Sequence, residues 1–260
     1  MIQLGMTDCP AVRALLARGE LHLDYLEVHG PYAEQARQIY PHFPMLLHNV
    51  LYNWSLTHPD GLLHQGAAAL IQPRLRQTGS PWLSLHLGFS AAEVDFHDEA
   101  IYALSPTQPP ETIFERSVRV LADVNALINV PLLLENMDYN PTGAYESICQ
   151  PDFISRVLQT SGAGLLLDVA HARVSAAAFN IPVEDYLRQL PLERVRQIHI
   201  NHPGWRDGRR VDSHEALQDE DYDLLQWVLE QCSPWSLTLE YNRDEGQIPP
   251  QIERLRRLLG

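Results

Sequence analysis

Short apolar runs recur along the chain, each followed by polar residues and then by a stretch whose apolar positions repeat at helical spacing. That alternation is the pattern of successive βα units around a parallel sheet, whose strands are covered on both faces and read as unbroken apolar runs. Eight runs are read as strands: residues 2–6 (IQLGM), 23–29 (LDYLEVH), 44–49 (PMLLHN), 82–88 (WLSLHLG), 130–136 (VPLLLEN), 164–170 (GLLLDVA), 195–201 (VRQIHIN) and 235–241 (WSLTLEY). Eight strands alternating with helices predict an α/β fold closed as a (β/α)8 TIM barrel. Between the runs, residues 109–128 open on prolines and set Ile113, Val120, Leu121 and Leu127 at helical spacing. Residues 219–232 open on acids that suit the positive end of a helix. The stretch 49–80 is longer than an ordinary connection, so its NWSLTHPDG portion is expected to fold over the barrel mouth.

Composition narrows this picture. A chain of 260 residues, 45% apolar and 20% charged, suits one barrel domain spanning 1–260. It carries no apolar run long enough for a membrane span and no signal-peptide pattern at its start, so a cytoplasmic protein is expected. Cys9, Cys149 and Cys232 lack metal-site spacing and are read as structural. A net charge of −14 disfavours nucleic acid as a partner, since that binding draws on Lys and Arg; Arg206, Arg209 and Arg210 are the densest basic cluster.

The chemistry lies in the last polar residues of the strands. The third run ends in His48, the fourth contains His86, and the next four carry Glu135, Asp168, His199 and Glu240. A single histidine near a strand end is commonly a hydrogen-bonded structural residue, but six strands in register place His or carboxylate at one end of the barrel. That is where such barrels hold their active sites. Clustered carboxylates need positive compensation, and oxygen and imidazole donors without thiolates suit iron, zinc or manganese. His171, three residues after Asp168, and the pair Asp212 and His214 in VDSHEAL complete nine candidate ligands, enough for two or three metal ions. Asn136, Asn201, His202 and Glu27 are read as substrate contacts or supports for the ligands, with purely structural roles open for each. His29 shares the position of Glu27, whereas His22, His42, His58, His64 and His97 lack strand-end register and are read as surface or loop residues.

The segments DYLEVHG, SLHLGFS, LLLENMD, LLLDVAHARVSA, YLRQLPLERVRQIHINHPG and VDSHEAL, in this order, resemble the multinuclear non-heme iron-dependent oxidases, within the xylose isomerase-like and endonuclease IV-like barrels. The resemblance implies two or three iron ions that activate dioxygen to oxidise cysteine or other residues of a ribosomally made peptide, often delivered by a small partner protein. By position it implies that His48, His86, Glu135, Asp168, His199, Asp212, His214 and Glu240 are ligands. The chain departs at Asp168-Val169-Ala170-His171, where the family has Asp-Val-Asn-Asn, and at His202, which comes one residue early. An Asp-x-x-His pair is similar to the metal sites of endonuclease IV and sugar-isomerase barrels. The expected activity is therefore an iron-dependent oxidation of a peptide or small thiol-bearing substrate, with a zinc or manganese hydrolase or sugar isomerase/epimerase as the alternative. A barrel that binds without catalysis has no reason to keep so many ionisable groups together.

Overall fold

In the computed structural model, which describes residues 1–97 and 100–260, all eight apolar runs become parallel strands of one closed barrel. In chain order the elements are β1 (Gln3–Thr7), α1 (Pro10–Arg18), β2 (Tyr25–His29), α2 (Ala33–Ile39), β3 (Met45–His48), α3 (Ala67–Thr78), β4 (Leu83–His86), β5 (Val94–His97), β6 (Ala100–Ala103), α4 (Pro110–Leu127), β7 (Leu132–Glu135), α5 (Pro151–Ser161), β8 (Gly164–Asp168), α6 (Val169–Ala178), α7 (Val183–Leu187), β9 (Val195–Ile200), β10 (His202–Arg206), β11 (Arg209–Glu215), α8 (Asp219–Gln231), β12 (Ser236–Leu239) and α9 (Ile248–Leu259). Around the barrel the order is β1-β2-β3-β4-β7-β8-β9-β12, closing back on β1. The molecule is a TIM barrel, and among its described residues no helix is long and apolar enough to cross a membrane.

Side chains alternate between the two faces of a strand, and this period decides what enters the barrel. Leu165, Leu167, Ile198, Ile200, Leu237 and Leu239 join the large core under the helices, which contribute Ile113, Val120, Leu121 and Val124 from α4 and Ile154, Val157 and Leu158 from α5. Full burial of each such side chain is worth about 1.5–3 kcal/mol. The opposite parity faces inward. Tyr25, Leu46, Trp82, Leu133 and Leu166 form a separate buried cluster. Two bonds between non-adjacent strands cross it, Tyr25 Oη to Thr238 Oγ1 at 2.8 Å and Trp82 Nε1 to Gln197 Oε1 at 2.8 Å. Gly5 makes room for this plug, since a Cβ there would lie 2.4 Å from the Tyr25 ring. Two residues further along the same strands come Glu27, His48, Ser84, Glu135 and Asp168, so the inward face that is plugged at one level turns ionisable at the next.

The connections differ from the sequence reading at the end of the sixth run and in two added hairpins, and agree with it along 49–80. The sixth run ends its strand at Asp168, because Asp168 caps α6: its Oδ1 accepts the backbone N–H of His171 at 2.7 Å. The stretch 49–80 holds α3, and only its first part is irregular, with Trp54, Leu56 and Thr57 buried. Two antiparallel hairpins, β5–β6 and β10–β11, extend from the carboxyl end of the barrel. The first went unread because its strands are four residues each and half exposed, too short to carry a periodic signal.

Candidate metal centre

Glu135, at the end of β7, is the hub. Its Oε2 lies 3.1 Å from His48 Nε2 and 3.4 Å from His86 Nε2, while its Oε1 lies 3.4 Å from His199 Nδ1 and 3.6 Å from His171 Nδ1. The two oxygens thus face two different sets of imidazoles. A second carboxylate, Glu240, places Oε1 3.3 Å from His199 Nδ1 and Oε2 3.7 Å from His214 Nε2. A third group gathers around His171 Nε2, with Asp168 Oδ2 at 3.8 Å and Asp212 Oδ2 at 3.6 Å; Asp212 Oδ2 also lies 2.8 Å from His214 Nε2. All nine residues read as ligands are therefore brought to one place. They come from the ends of six barrel strands, the first turn of α6 and the strand β11. His214 reaches the group with a left-handed backbone, φ 48°, a conformation uncommon outside glycine and asparagine.

Three of the five histidines are oriented by a bond at the far nitrogen. His171 Nδ1 donates to the Asn136 carbonyl at 2.8 Å, and His199 Nε2 bonds Glu27 Oε2 at 2.9 Å. His48 Nδ1 bonds Ser84 Oγ at 3.0 Å, while its Nε2 accepts from Asn49 Nδ2 at 2.8 Å. These bonds leave His171 Nε2 and His199 Nδ1 as the nitrogens that face the carboxylates, while His48 Nε2 lies between Glu135 and the Asn49 amide. Four buried atoms in the group have no hydrogen-bond partner: Glu135 Oε2, Asp168 Oδ2, His199 Nδ1 and Asp212 Oδ1. Lone pairs converging without donors repel, and a cation between them turns that repulsion into coordination. Ligands each about 2.1 Å from one metal lie roughly 3–3.5 Å apart, near the spacings found here. The donor set fits metal ions.

The protons show the same strain. Burial pushes the Asp168 carboxyl well above the usual range, with Glu240, Asp212 and Glu135 adding to it and His171 opposing. Burial pushes His199 down, but Glu27 and Glu240 outweigh it and hold it well above its ordinary value. His214 is likewise opposed by burial yet raised to about 10, chiefly by Asp212. Burial lowers His86 to about 3 and His29 to about 4, so both rings are neutral at pH 7. Protons held by Asp168, His199, His171 and His214 do part of the charge balancing that metal ions would take over.

A cavity of about 500 Å³ opens over the group. Its walls are the candidate ligands His48, His86, Glu135, His171, Asp212, His214 and Glu240 on one side and Tyr52, Phe96, Ile101, Met137 and Tyr145 on the other. Tyr52 and Asn53 come from the stretch expected over the mouth. Of the four supporting residues, Glu27 is fully buried beneath His199, where Gln197 and Thr238 also donate to it. Asn136 clamps β7 to β8, its amide donating to the Asp168 carbonyl and accepting the Asp168 N–H, both at 2.9 Å. His202 turns to Asp221 at 2.8 Å in the capping network of α8, and both amide atoms of Asn201 are buried without a partner. His58 lies in a loop, as read, but is buried there, bonds Glu93 at 2.9 Å and stacks on His64 at 3.7 Å.

Two further residues line the cavity: His29, whose sequence position left a barrel-mouth and a structural role open, and Asp138, which the sequence reading missed. His29 packs between His48 and Tyr52, at centroid distances of 5.3 and 4.9 Å. Asp138 lies three residues past Glu135, and burial and nearby Asp212 push it up to about 6 against the pull of His171. The signal for both was the same, a polar residue just beyond a strand's last inward position, and nothing in the periodicity distinguishes such a residue from a turn.

Residues 20–257 match the model of a family described as RiPP precursor modification enzyme MbnB/TglH/ChrH. A UPF0276 protein of Paraburkholderia phytofirmans is 28% identical over 230 residues, covering 86% of this chain and 73% of its own. A UPF0276 protein of Bordetella pertussis is 32% identical over 174 residues, covering 65% and 58%. Among solved structures, a D-tagatose 3-epimerase-like protein superposes with a TM-score of 0.68 at 12% identity, over 99% of this chain and 97% of its own. Endonuclease IV from Thermus thermophilus superposes with a TM-score of 0.60 at 17% identity, over 99% and 98%. The TTHB071 protein of the same organism, soaked with ZnCl2, gives 0.60 at 20%, over 99% and 97%. At these identities the likeness to solved structures shows the fold alone.

Proposed function

The chain belongs to the family of RiPP precursor modification enzymes MbnB/TglH/ChrH, and from that premise we propose that it is a multinuclear iron-dependent oxidase of a cysteine-bearing peptide. The observation that carries this reading is the convergence of four carboxylates and five histidines, among which Glu135 Oε2, Asp168 Oδ2, His199 Nδ1 and Asp212 Oδ1 are buried without a hydrogen-bond partner. Bound iron supplies dioxygen activation and a binding point for the substrate sulfur. His48, His86 and Glu135 Oε2 would hold one ion, His199, Glu240 and Glu135 Oε1 a second, and Asp168, His171, Asp212 and His214 a third. Glu135 turns a separate oxygen toward each of the first two sets of residues. Asp168 spends Oδ1 on its helix cap, so it offers Oδ2 alone.

The chain's other residues prepare the substrate. Tyr52, Phe96, Ile101, Met137 and Tyr145 line the wall opposite the ligands and exclude water from a bound side chain. Beside the cavity, the carboxyl of Asp138, raised to about 6 chiefly by burial, can hold or release a proton near pH 6, while His29, lowered to about 4 by burial, stays neutral there. We place the whole chain, 1–260, in this role as one domain working in the cytoplasm, with a small partner protein delivering the peptide. Anaerobic reconstitution with ferrous iron, followed by elemental analysis and exposure of a cysteine-bearing peptide to air, tests the reading. Two or three equivalents of iron and an oxygen-dependent mass change in the peptide are expected; at most one equivalent, or no mass change, overturns it. The Asp168–His171 pair favours a second reading, a zinc or manganese hydrolase or sugar epimerase, which zinc- or manganese-supported turnover without oxygen would identify.

A further inference from the structure

Every one of the 19 basic residues is arginine, set against 33 acids. Most described arginines near the rims of helices are paired, as Arg13 is with Asp8, Arg156 with Glu111 and Arg254 with Asp219. The hairpin β10–β11 is different. Arg209 is exposed and, among the described residues, its guanidinium has no hydrogen bond or ion pair. Arg210 lies over the exposed ring of Trp205, 5.1 Å from its centroid, and its Nη1 is buried without a partner. The nearest acids are already engaged: Arg173 bonds both Glu220 and Asp221. Asp207 at the hairpin turn is the remaining acid of the strand pair before Asp212.

This surface is continuous with the reaction cavity. Arg209 and Tyr102 line a second cavity of about 300 Å³ between the two hairpins, and Ala100 lines both cavities. The same strand, β11, carries Asp212 and His214 into the metal centre. We propose that the β10–β11 hairpin docks an acidic segment of the peptide substrate, Arg209 and Arg210 receiving its carboxylates while the adjoining residue enters the main cavity. The proposal rests on the reading that the substrate is a peptide. Opposite charge steers such a segment to the strand pair that carries Asp212 and His214, on a molecule whose net charge is −14.

The test uses the full-length, iron-loaded protein under argon and a fluorescent synthetic peptide carrying a Glu-rich segment and one cysteine, with binding followed by anisotropy. The Glu peptide is expected to bind at least about tenfold tighter than the same peptide with Gln, and to weaken steeply with salt. Arg209→Glu with Arg210→Gln is expected to erase that preference while iron content and melting temperature stay those of the wild type. Equal binding of the Gln peptide, or no salt dependence, overturns the proposal. So does a folded, iron-replete variant that keeps the preference. An RNA oligonucleotide that competes better than the Glu peptide also overturns it. Because binding is read without oxygen or turnover, a peptide that docks but is not oxidised in air counts against the oxidase reading alone.

Discussion

The two levels of the barrel interior stand two residues apart on the same strands and are built on opposite rules. At the lower level Tyr25, Leu46, Trp82, Leu133 and Leu166 fill the space, and the polar groups among them meet partners, Tyr25 with Thr238 and Trp82 with Gln197. At the upper level Glu135, Asp168 and His199 are as deeply buried, yet each keeps an atom with no partner. A buried polar atom left unpaired costs about 1–3 kcal/mol, and more when charged, so the upper level draws on stability that the lower level supplies. The difference separates packing from chemistry: Tyr25 and Trp82 meet partners in the layer that fills the barrel, and the orphaned atoms of Glu135, Asp168 and His199 mark the layer of candidate ligands.

The largest effect should come from changing one residue on each level of β8. Leu166→Ala should cost about 2–5 kcal/mol in chemical denaturation of metal-free protein, through the cavity it leaves. Asp168→Asn, in the same metal-free protein, should be neutral or stabilising, because asparagine still caps α6 and removes a carboxyl that burial disfavours. The sign follows from the raised folded value: protonated Asp168 supports the fold at low pH and that support fades as pH rises through its folded value, so the benefit of Asp168→Asn should be larger at pH 7 than at pH 4. Metal content should fall only in Asp168→Asn. Comparable destabilisation by the two substitutions would erase the distinction between levels.

A smaller effect separates the ligand groups within the upper level. His171→Asn should lower metal stoichiometry by about one ion and leave the others, since His171 Nε2 faces Asp168 and Asp212 and not the His48 group. Metal analysis of that variant showing unchanged content would make His171 a structural histidine that holds Asn136. Smallest is the effect of His29, which burial and His48 hold at about 4. An unfolded histidine takes its proton near pH 6.5, so the native state loses stability as pH falls from 6.5 towards 4. Thermal melts of metal-free His29→Gln across that range should show a shallower acid-side decline than wild type; parallel curves would mean that His29 is protonated in the folded protein.

Much of this was legible in the chain. The strands surfaced because parallel strands buried on both faces need unbroken apolar runs, and LLLD and LLLE announce both their burial and their ends. The nine inward ligand candidates followed from their shared place at those ends, together with the i,i+3 step from Asp168 to His171 and the alternate spacing of Asp212 and His214. The helices at 109–128 and 219–232 formed as Pro110–Leu127 and Asp219–Gln231, since capping and spacing are local.

What escaped depends on partners far along the chain. No periodicity tells that Glu27 would lie under His199, 172 residues away, or that Asn136 would clamp the backbone of Asp168. Nor could spacing assign the two oxygens of Glu135 to different histidines, or send His202 to the cap of α8 while its neighbours turned inward. Local pattern determines which face of a strand is apolar and where the strand stops, because those are set by backbone period and nearest neighbours. Closure of the barrel alone decides which side chains meet across it, and so which nitrogen of His171 and of His199 is tied and which is left to face the carboxylates.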